Sequence, residues 1–598
     1  MNIQMKAIVA AVMAAGLLGN SALAADPPAA AAAAKKHTKA VKPKAAPAAT
    51  AAELEELKRQ MQEQIDALKN QLSDRDTQLK QAQDAAAAAQ ASADRAAQAA
   101  NAQQQAVTDN AAAVSTLQGT VSDLKLNQGS LATTIQDSQA AVKKAIESPD
   151  TLHYKGITIS PAGSFIEAAT VWRQGAVGGD INTPFTGIPL AFADAANISE
   201  FYGSGRQSRL AVKAQGTLAN MVLTGYYEAD WLSAGVTSNN NQSNSYTMRQ
   251  RQLWADVKMN NGWDFSGGQG WSLATETTQG LTRGTEILPS TIDAQYNAGF
   301  VWGRQYSFRV SKDIGKKVFL GVAAENAETL NPAGANLPTN LLIGSAGVGG
   351  GLYNLNANYS FNMTPDFVAK LAVEPGWGHW EVFGIGRSFR DRIYPTTGDP
   401  YNNSVWAGGI GGGFRGPLAN KKITVGLKGL WGAGVGRYGS STIADVTIRP
   451  DGTLSPLHGF SALSTVEAAA TKRLTIYLNY GGDYIGRDWT YSADGTKQVG
   501  YGTPSTDMSG CHTEVASTGS FAPSTPAHCG ANNKDVQEFT AGYWYDFYRG
   551  PKGRLRQGLQ YSRFERDLWS GIGGSGNPGN GADGIDNMFF TSFRYYLP

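Results

Sequence analysis

Residues 302–328 read WGRQYSFRVSKDIGKKVFLGVAAENAE. Ahead of Gly315-Lys316, Tyr306, Phe308 and Val310 alternate with Gln305, Ser307, Arg309 and Ser311. A period of two belongs to a strand, which sends successive side chains to opposite faces. The next run, 317–328, follows after a two-residue connection, the spacing of a tight hairpin. Working outward, runs of about ten alternating residues recur from Ile157 to the end of the chain, as in membrane-spanning barrel strands. Their connections are by turns very short and long, the long ones rich in Gly, Asn and Ser. Hairpins whose two ends face different compartments have that alternation. The pattern predicts an all-β transmembrane barrel.

Sixteen antiparallel strands are expected, at 157–172, 207–218, 221–233, 247–259, 263–277, 302–314, 317–328, 365–374, 379–391, 404–415, 422–434, 459–471, 473–485, 536–548, 553–566 and 586–597. Leu352–Phe361 is a further alternating run. It is assigned to a loop, because counting it would break the even number that closes a barrel with both ends on one side. Sixteen strands enclose an aqueous channel rather than a filled interior. A charge on the lipid face at mid-membrane costs roughly 2–4 kcal/mol, whereas in a wet lumen it is tolerated and tunes selectivity. Strand parity therefore sends Arg209, Lys213, Arg309, Arg473, Arg556 and Arg594 inward, as anion-selecting groups or as partners of carboxylates such as Asp256, Glu325 and Glu381. Arg249 and Arg251 fall on the apolar-looking face of their strand, which predicts the outer rim or a subunit interface.

The chain has 598 residues, 70 of them Gly, with a mean hydropathy of −0.29. That polar average argues against a large soluble core and suits a barrel that is apolar only on its outside. A formal charge of +2 gives no reason to expect nucleic acid. At the N-terminus, Lys6, the apolar run Ala7–Leu18 and Ala22-Leu23-Ala24 read as a secretory signal peptide over 1–24. Residues 25–52 are a disordered Ala/Pro/Lys-rich linker, either a solvated spacer or a basic contact to an anionic cell-wall polymer such as peptidoglycan. From Glu53 onward, apolar residues recur alternately three and four apart from Ile65 to Val142, predicting a periplasmic coiled coil over 53–148. Such a rod would be near 120 Å long at about 1.5 Å per residue. Asn110 and Gln128 fall on its seam, as register-setting or as merely tolerated polar positions. A helix with one apolar stripe needs partner copies, so the chain is expected to self-associate.

Several short stretches carry a family resemblance. They are Gly270-Trp271-Ser272, Pro289-Ser290-Thr291-Ile292-Asp293, Ala324-Glu325-Asn326, Pro365-Asp366-Phe367-Val368-Ala369 and Trp377-Gly378-His379. In this order, after a signal peptide and a coiled coil, they make the chain similar to the trimeric DcaP-like dicarboxylate porins, relatives of the phosphate-selective porins. The resemblance implies a homotrimer in a Gram-negative-type outer membrane, in contact with its lipid, that passes small anionic solutes and needs no cofactor. It also implies that the third long loop, 278–301, folds into the barrel and narrows it, with Arg283, Glu286 and Asp293 at the constriction. The chain departs from the pattern in ending Tyr595-Tyr596-Leu597-Pro598 rather than in Phe, although Phe589, Phe593 and Tyr595 keep the alternating aromatics.

Cys511 and Cys529 lie in one long external loop beside His512 and His528. In an exported protein a lone pair reads as a disulfide, with a Cys/His zinc site as the alternative. No Ser/His/Asp-type grouping converges at a strand end, so no enzyme is expected. Gly408–Gly413 lacks the helix and the Lys-Ser/Thr of a phosphate-binding loop. The expected function is passive diffusion of small hydrophilic solutes, with a preference for small anions such as dicarboxylates or phosphate. The competing readings are an envelope tether acting through the rod and basic linker, and a surface hydrolase.

Overall fold

A computed structural model describes residues 152–598 apart from 179, 184, 233–245, 331–333, 335–336, 339–340, 343–361, 512–513, 515–528 and 574–580, together with residues 59, 60 and 139. The signal peptide, the linker, nearly all of the coiled-coil segment and the run Leu352–Phe361 thus lie outside the described residues.

From Ile157 onward the chain forms one large antiparallel sheet. Ile157–Ser160 and Phe165–Arg173 are one strand interrupted at Pro161, where a backbone donor is missing. Their partner is interrupted in register, as Glu200–Ser204 and Leu210–Leu218, with pairs running from Ile157↔Gly216 through Phe165↔Arg209 to Arg173↔Glu200. Met221–Asp230, Arg249–Met259, Trp263–Trp271, Arg304–Ile314 and Val318–Glu325 follow, each paired with the one before. Val318–Glu325 then pairs directly with Asp366–Val373, so no further strand stands between these two. His379–Ile393, Tyr401–Leu418, Ile423–Ala433, His458–Ala469 and Leu474–Ile485 continue the sheet. Asn533–Gly550, Gly553–Leu568 and Asp583–Tyr596 complete it. The last strand returns to the first, with Tyr596↔Phe165 and Met588↔Arg173, and the sheet closes into a barrel. The short segments Leu152–Tyr154 and Leu341–Leu342 add to its rim. Gly315 and Lys316 have φ of 65° and 58°, the two positive values of a hairpin turn whose twist matches that of its strands.

Polarity is inverted relative to a soluble core. Phe308, Val322, Ile410 and Trp431 are each more than half exposed, at 57%, 57%, 58% and 61%, while Arg309, Lys370 and Glu381 on the other face are buried. Aromatic groups gather near both ends of the strands. Trp377, Trp380 and Phe414 cluster by the short turns, whereas Trp172 with Phe589 and Phe460 with Tyr484 lie towards the long loops. Amphipathic rings take such positions at membrane–water interfaces. Among the described residues no helix is long and apolar enough to cross a membrane.

The long connections turn inward. Phe185 and Ile188 of 174–199 pack with Ile292 and Ala298 of 272–303 against the wall residues Trp544, Phe564 and Phe590. Val435 and Tyr438 of 434–457 pack with Phe319, Val368 and Phe383. Cys511 and Cys529 are disulfide-bonded with Cα atoms 4.9 Å apart, and Cys511 is buried with Met508, Leu190 and Leu568.

One face assignment needs correction. Arg251 and Arg249 do not look outward. The ladder between Met221–Asp230 and Arg249–Met259 shifts at Glu228/Ala229, and this bulge turns the upper end of the strand over. Arg251 consequently points into the lumen, bound to Glu228 at 2.5 Å and Asp230 at 2.6 Å, and Arg249 pairs with Asp230 at 2.8 Å. A period-two reading loses its phase at a bulge.

If the exposed apolar face meets lipid, Val322→Arg lowers stability by roughly 2–4 kcal/mol in urea titrations of protein folded into vesicles. A thiol titration of denatured, unreduced protein is expected to find no free cysteine.

Candidate functional site

An irregular segment inside a barrel carries backbone donors that no ladder partner satisfies, and buried donors left unpaired are costly. In 272–303 the wall supplies the acceptors. Glu325 accepts from the Leu273 N–H at 2.8 Å, and Glu374 from Gly280 at 2.7 Å. Across the lumen, Gln560 accepts from Ile292 at 2.7 Å, Glu538 from Ala298 at 2.7 Å and Asp483 from Gly299 at 2.9 Å. The Trp544 indole N–H donates to the Ser290 carbonyl at 2.7 Å. The segment leaves the wall at Trp271, reaches the opposite wall near 290–299, and returns at Arg304. At its root the Arg309 guanidinium donates to the Trp271 carbonyl at 2.7 Å and pairs with Glu286 at 3.0 Å. His379 lies 3.0 Å from the Thr277 hydroxyl and 3.2 Å from Glu374.

Arg283 turns into the wall, donating to the Ser266 and Ser307 hydroxyls at 2.9 and 2.5 Å. Gly270 makes its room, because a Cβ there would stand 2.4 Å from an Arg283 nitrogen. Burial, with Arg309 nearby, lowers the Arg283 guanidinium to about 10, so it remains a cation at neutral pH.

Beside this segment lie two neighbouring cavities, of about 500 and 350 Å³, which share Arg209 and Leu288. The larger mixes signs: Arg209, Lys213, Lys258 and Arg283 against Glu228, Asp256 and Glu286. The smaller is one-sided. Arg209, Arg251, Arg556 and Arg594 surround it, and its one acidic lining residue is Asp293. Trp544 holds two of these cations, with the Arg556 and Arg594 guanidinium carbons 4.4 and 4.7 Å from its ring centroid. Such stacking fixes a guanidinium while leaving its edge donors available. Arg594 also pairs with Glu167 at 2.8 Å, Arg556 with Asp546 at 3.2 Å, and Arg209 with Glu228 at 3.6 Å.

Asp293 differs from these. It accepts from the neutral amides of Asn182 and Gln207, both at 2.9 Å, and among the described residues forms no ion pair. Its burial raises the carboxyl to about 7, against the lowering pull of the Asn182 hydrogen bond and the Arg594 charge.

Solved structures share the architecture. The outer-membrane channel DcaP of Acinetobacter baumannii superposes with a TM-score of 0.50 at 15% identity, covering 74% of this chain and 98% of that one. The fold of this chain is similar to that of this channel. The anion-selective porin from Comamonas acidovorans is more distant, at 9% identity, a TM-score of 0.38, and coverage of 74% and 99%. OprB of Pseudomonas putida stands at 12%, 0.36, and 77% and 97%. No protein-family model matches the chain, and no curated protein matches it in sequence.

Of the residues singled out from sequence, Arg209, Arg556 and Arg594 line the smaller cavity, Lys213 and Arg283 the larger, and Arg309 is buried under the inward segment. Arg473 departs from expectation. Its strand begins at Leu474, leaving Arg473 exposed in the turn before it, away from both cavities. Many of the inward arginines take the second of the two expected roles, as partners of carboxylates. Glu167, Glu228, Asp230, Asp483, Glu538 and Asp546, none of them singled out from sequence, are all buried on the inner face. Trp544, Gln560 and Glu538 alternate in their strands, which was a usable signal. Their role depends on which loop reaches them, and that is a long-range fact.

Glu538→Ala leaves the Ala298 N–H without its acceptor and should cost about 1–3 kcal/mol, seen as a lower midpoint of thermal unfolding in detergent. Glu538→Gln keeps a side-chain oxygen and should recover most of the loss.

Proposed function

We propose that this protein is an outer-membrane porin, through which small hydrophilic solutes diffuse passively with a preference for small anions. Taking each interrupted pair of segments as a single strand, the barrel has sixteen crossings, an even number that leaves the two ends of the chain on one side. On this reading the apolar outer face meets lipid and the 272–303 segment is the constriction. The subunits form a homotrimer, with the coiled coil of 53–148 projecting into the periplasm. The protein does no covalent chemistry on its solutes.

The observation that carries the anion preference is the smaller cavity, with four guanidinium groups and one carboxylate around about 350 Å³. An anion entering a narrow passage loses hydration, and fixed guanidinium donors replace it, in bidentate fashion for carboxylate or phosphate. The fold likeness to DcaP supports the channel but says nothing of the solute. The wider lumen supports weak rather than strong selectivity, since most wall arginines already face a carboxylate.

Single-channel reversal potentials in a potassium chloride gradient test this reading. Anion preference is expected, reduced by Arg556→Ala or Arg209→Ala and unaltered by Arg473→Ala. A cation-selective reversal potential would overturn it.

A further inference from the structure

We propose that Asp293 tunes the ion selectivity of this channel through its own protonation: the neutral acid leaves guanidinium groups as the charged groups in the lining of the constriction cavity, and the carboxylate adds an opposing charge to that lining. The inference rests on the channel reading and adds to it a selectivity-determining residue whose charge changes near neutral pH.

The geometry isolates this one group. Asp293 is the carboxylate in the lining of the smaller cavity. Glu538 and Asp483, which likewise form no ion pair among the described residues, take backbone N–H groups of the segment and stand outside that lining. Three further carboxylates near the segment are held by cations. Glu286 is held by Arg309 at 3.0 Å, Glu381 by Lys370 at 2.6 Å and by Lys428, and Glu167 by Arg594 at 2.8 Å. A carboxylate paired with a fixed cation stays ionised and adds a constant to the field. Asp293 has only amide donors, which stabilise the anion without a counter-charge, and it is 5% exposed. Burial without an ion pair favours the neutral form, and its carboxyl accordingly stands at about 7.

The groups around it come from several elements. Glu167 on Phe165–Arg173 adds negative field, and Glu538 on Asn533–Gly550 is a second buried acid nearby, outside the cavity lining. Arg594 on Asp583–Tyr596 opposes them. Arg209, Arg251 and Arg556 complete the ring around the same cavity, and Tyr296 lies within reach on the same loop. The cation ring is therefore permanent, and Asp293 is the member whose charge changes.

The sign follows directly. Above its midpoint Asp293 is an anion facing the permeating anion; below it that charge disappears. One charge acting over several ångströms in a wet passage changes a permeability ratio by about threefold. The wild-type chloride-to-potassium permeability ratio should therefore rise by about threefold as pH falls from about 8 to about 6, the range that brackets Asp293.

The test is the reversal potential of single channels across that range, for the wild type and for Asp293→Asn. This isosteric variant keeps an oxygen for one of the two amide donors and, like the protonated acid, presents a donor to the other, whose own amide oxygen can turn to accept it. The expected result is a wild-type rise of that size and an Asp293→Asn ratio that is already high at the alkaline end and flat. A wild-type ratio that does not move with pH overturns the proposal, as does an Asp293→Asn channel that keeps the wild-type pH response. A wild-type protein that forms no conducting steps at any pH overturns the channel reading instead.

Discussion

An irregular chain segment inside a barrel is stable only if its backbone donors find acceptors on the wall, and the rest of this structure depends on how that is done. Here the acceptors are mostly side-chain carboxylates. Glu325, Glu374, Asp483 and Glu538 each take a backbone N–H of 272–303, and Gln560 takes another. The same device fixes the neighbouring connection, where Asp445 accepts from the Leu330 and Arg437 N–H groups and Asp483 from Ser441. A charged acceptor makes a stronger hydrogen bond than a neutral one, so a few such contacts can hold a long segment in place.

This arrangement has an electrostatic consequence. Carboxylates that pin a loop need nearby cations to offset their burial, and many lumen arginines serve that end. Arg387 lies between Asp366 at 3.1 Å and Asp445 at 2.7 Å, and Arg251 between Glu228 and Asp230. Their charge is largely consumed in the wall. What differs locally is the lining, and around Trp544 the lining guanidinium groups outnumber the lining carboxylates even though their partners stand just behind them. On the proposed reading, selectivity and loop anchoring draw on the same residue types, so a substitution aimed at one disturbs the other unless the residue has only one of the two roles.

The stretches that carried the family resemblance acquire a physical meaning in this light. Gly270 clears space for Arg283, and the Trp271 carbonyl receives Arg309. Ser290 and Ile292 supply the backbone groups that meet Trp544 and Gln560. Glu325 and His379 hold the near end, and Asp366 faces Arg387 and the Tyr438 hydroxyl at 3.2 Å. These motifs, far apart in sequence, are attachment points of the inward loops. As isolated words they say little; their shared role explains why their order was informative.

The sequence by itself determined the barrel. Period-two alternation and short turns set against long loops are local properties, legible because a strand with one apolar and one polar face writes the two into every second residue. Arg209, Arg556 and Arg594 were readable as inward for the same reason. Two things were decided only by tertiary structure. The bulge at Glu228/Ala229 reversed the face of Arg251 and Arg249, because one extra residue changes the phase without any compositional mark. Which carboxylates neutralise which cations was set by loops crossing the lumen, over separations such as the 240 residues between Ala298 and Glu538. Pairing across a cavity is a matter of distance in space, and alternation along a strand carries no record of it. That is why Asp293, one acid among many in the chain, is distinguished only once its neighbours are seen to be amides.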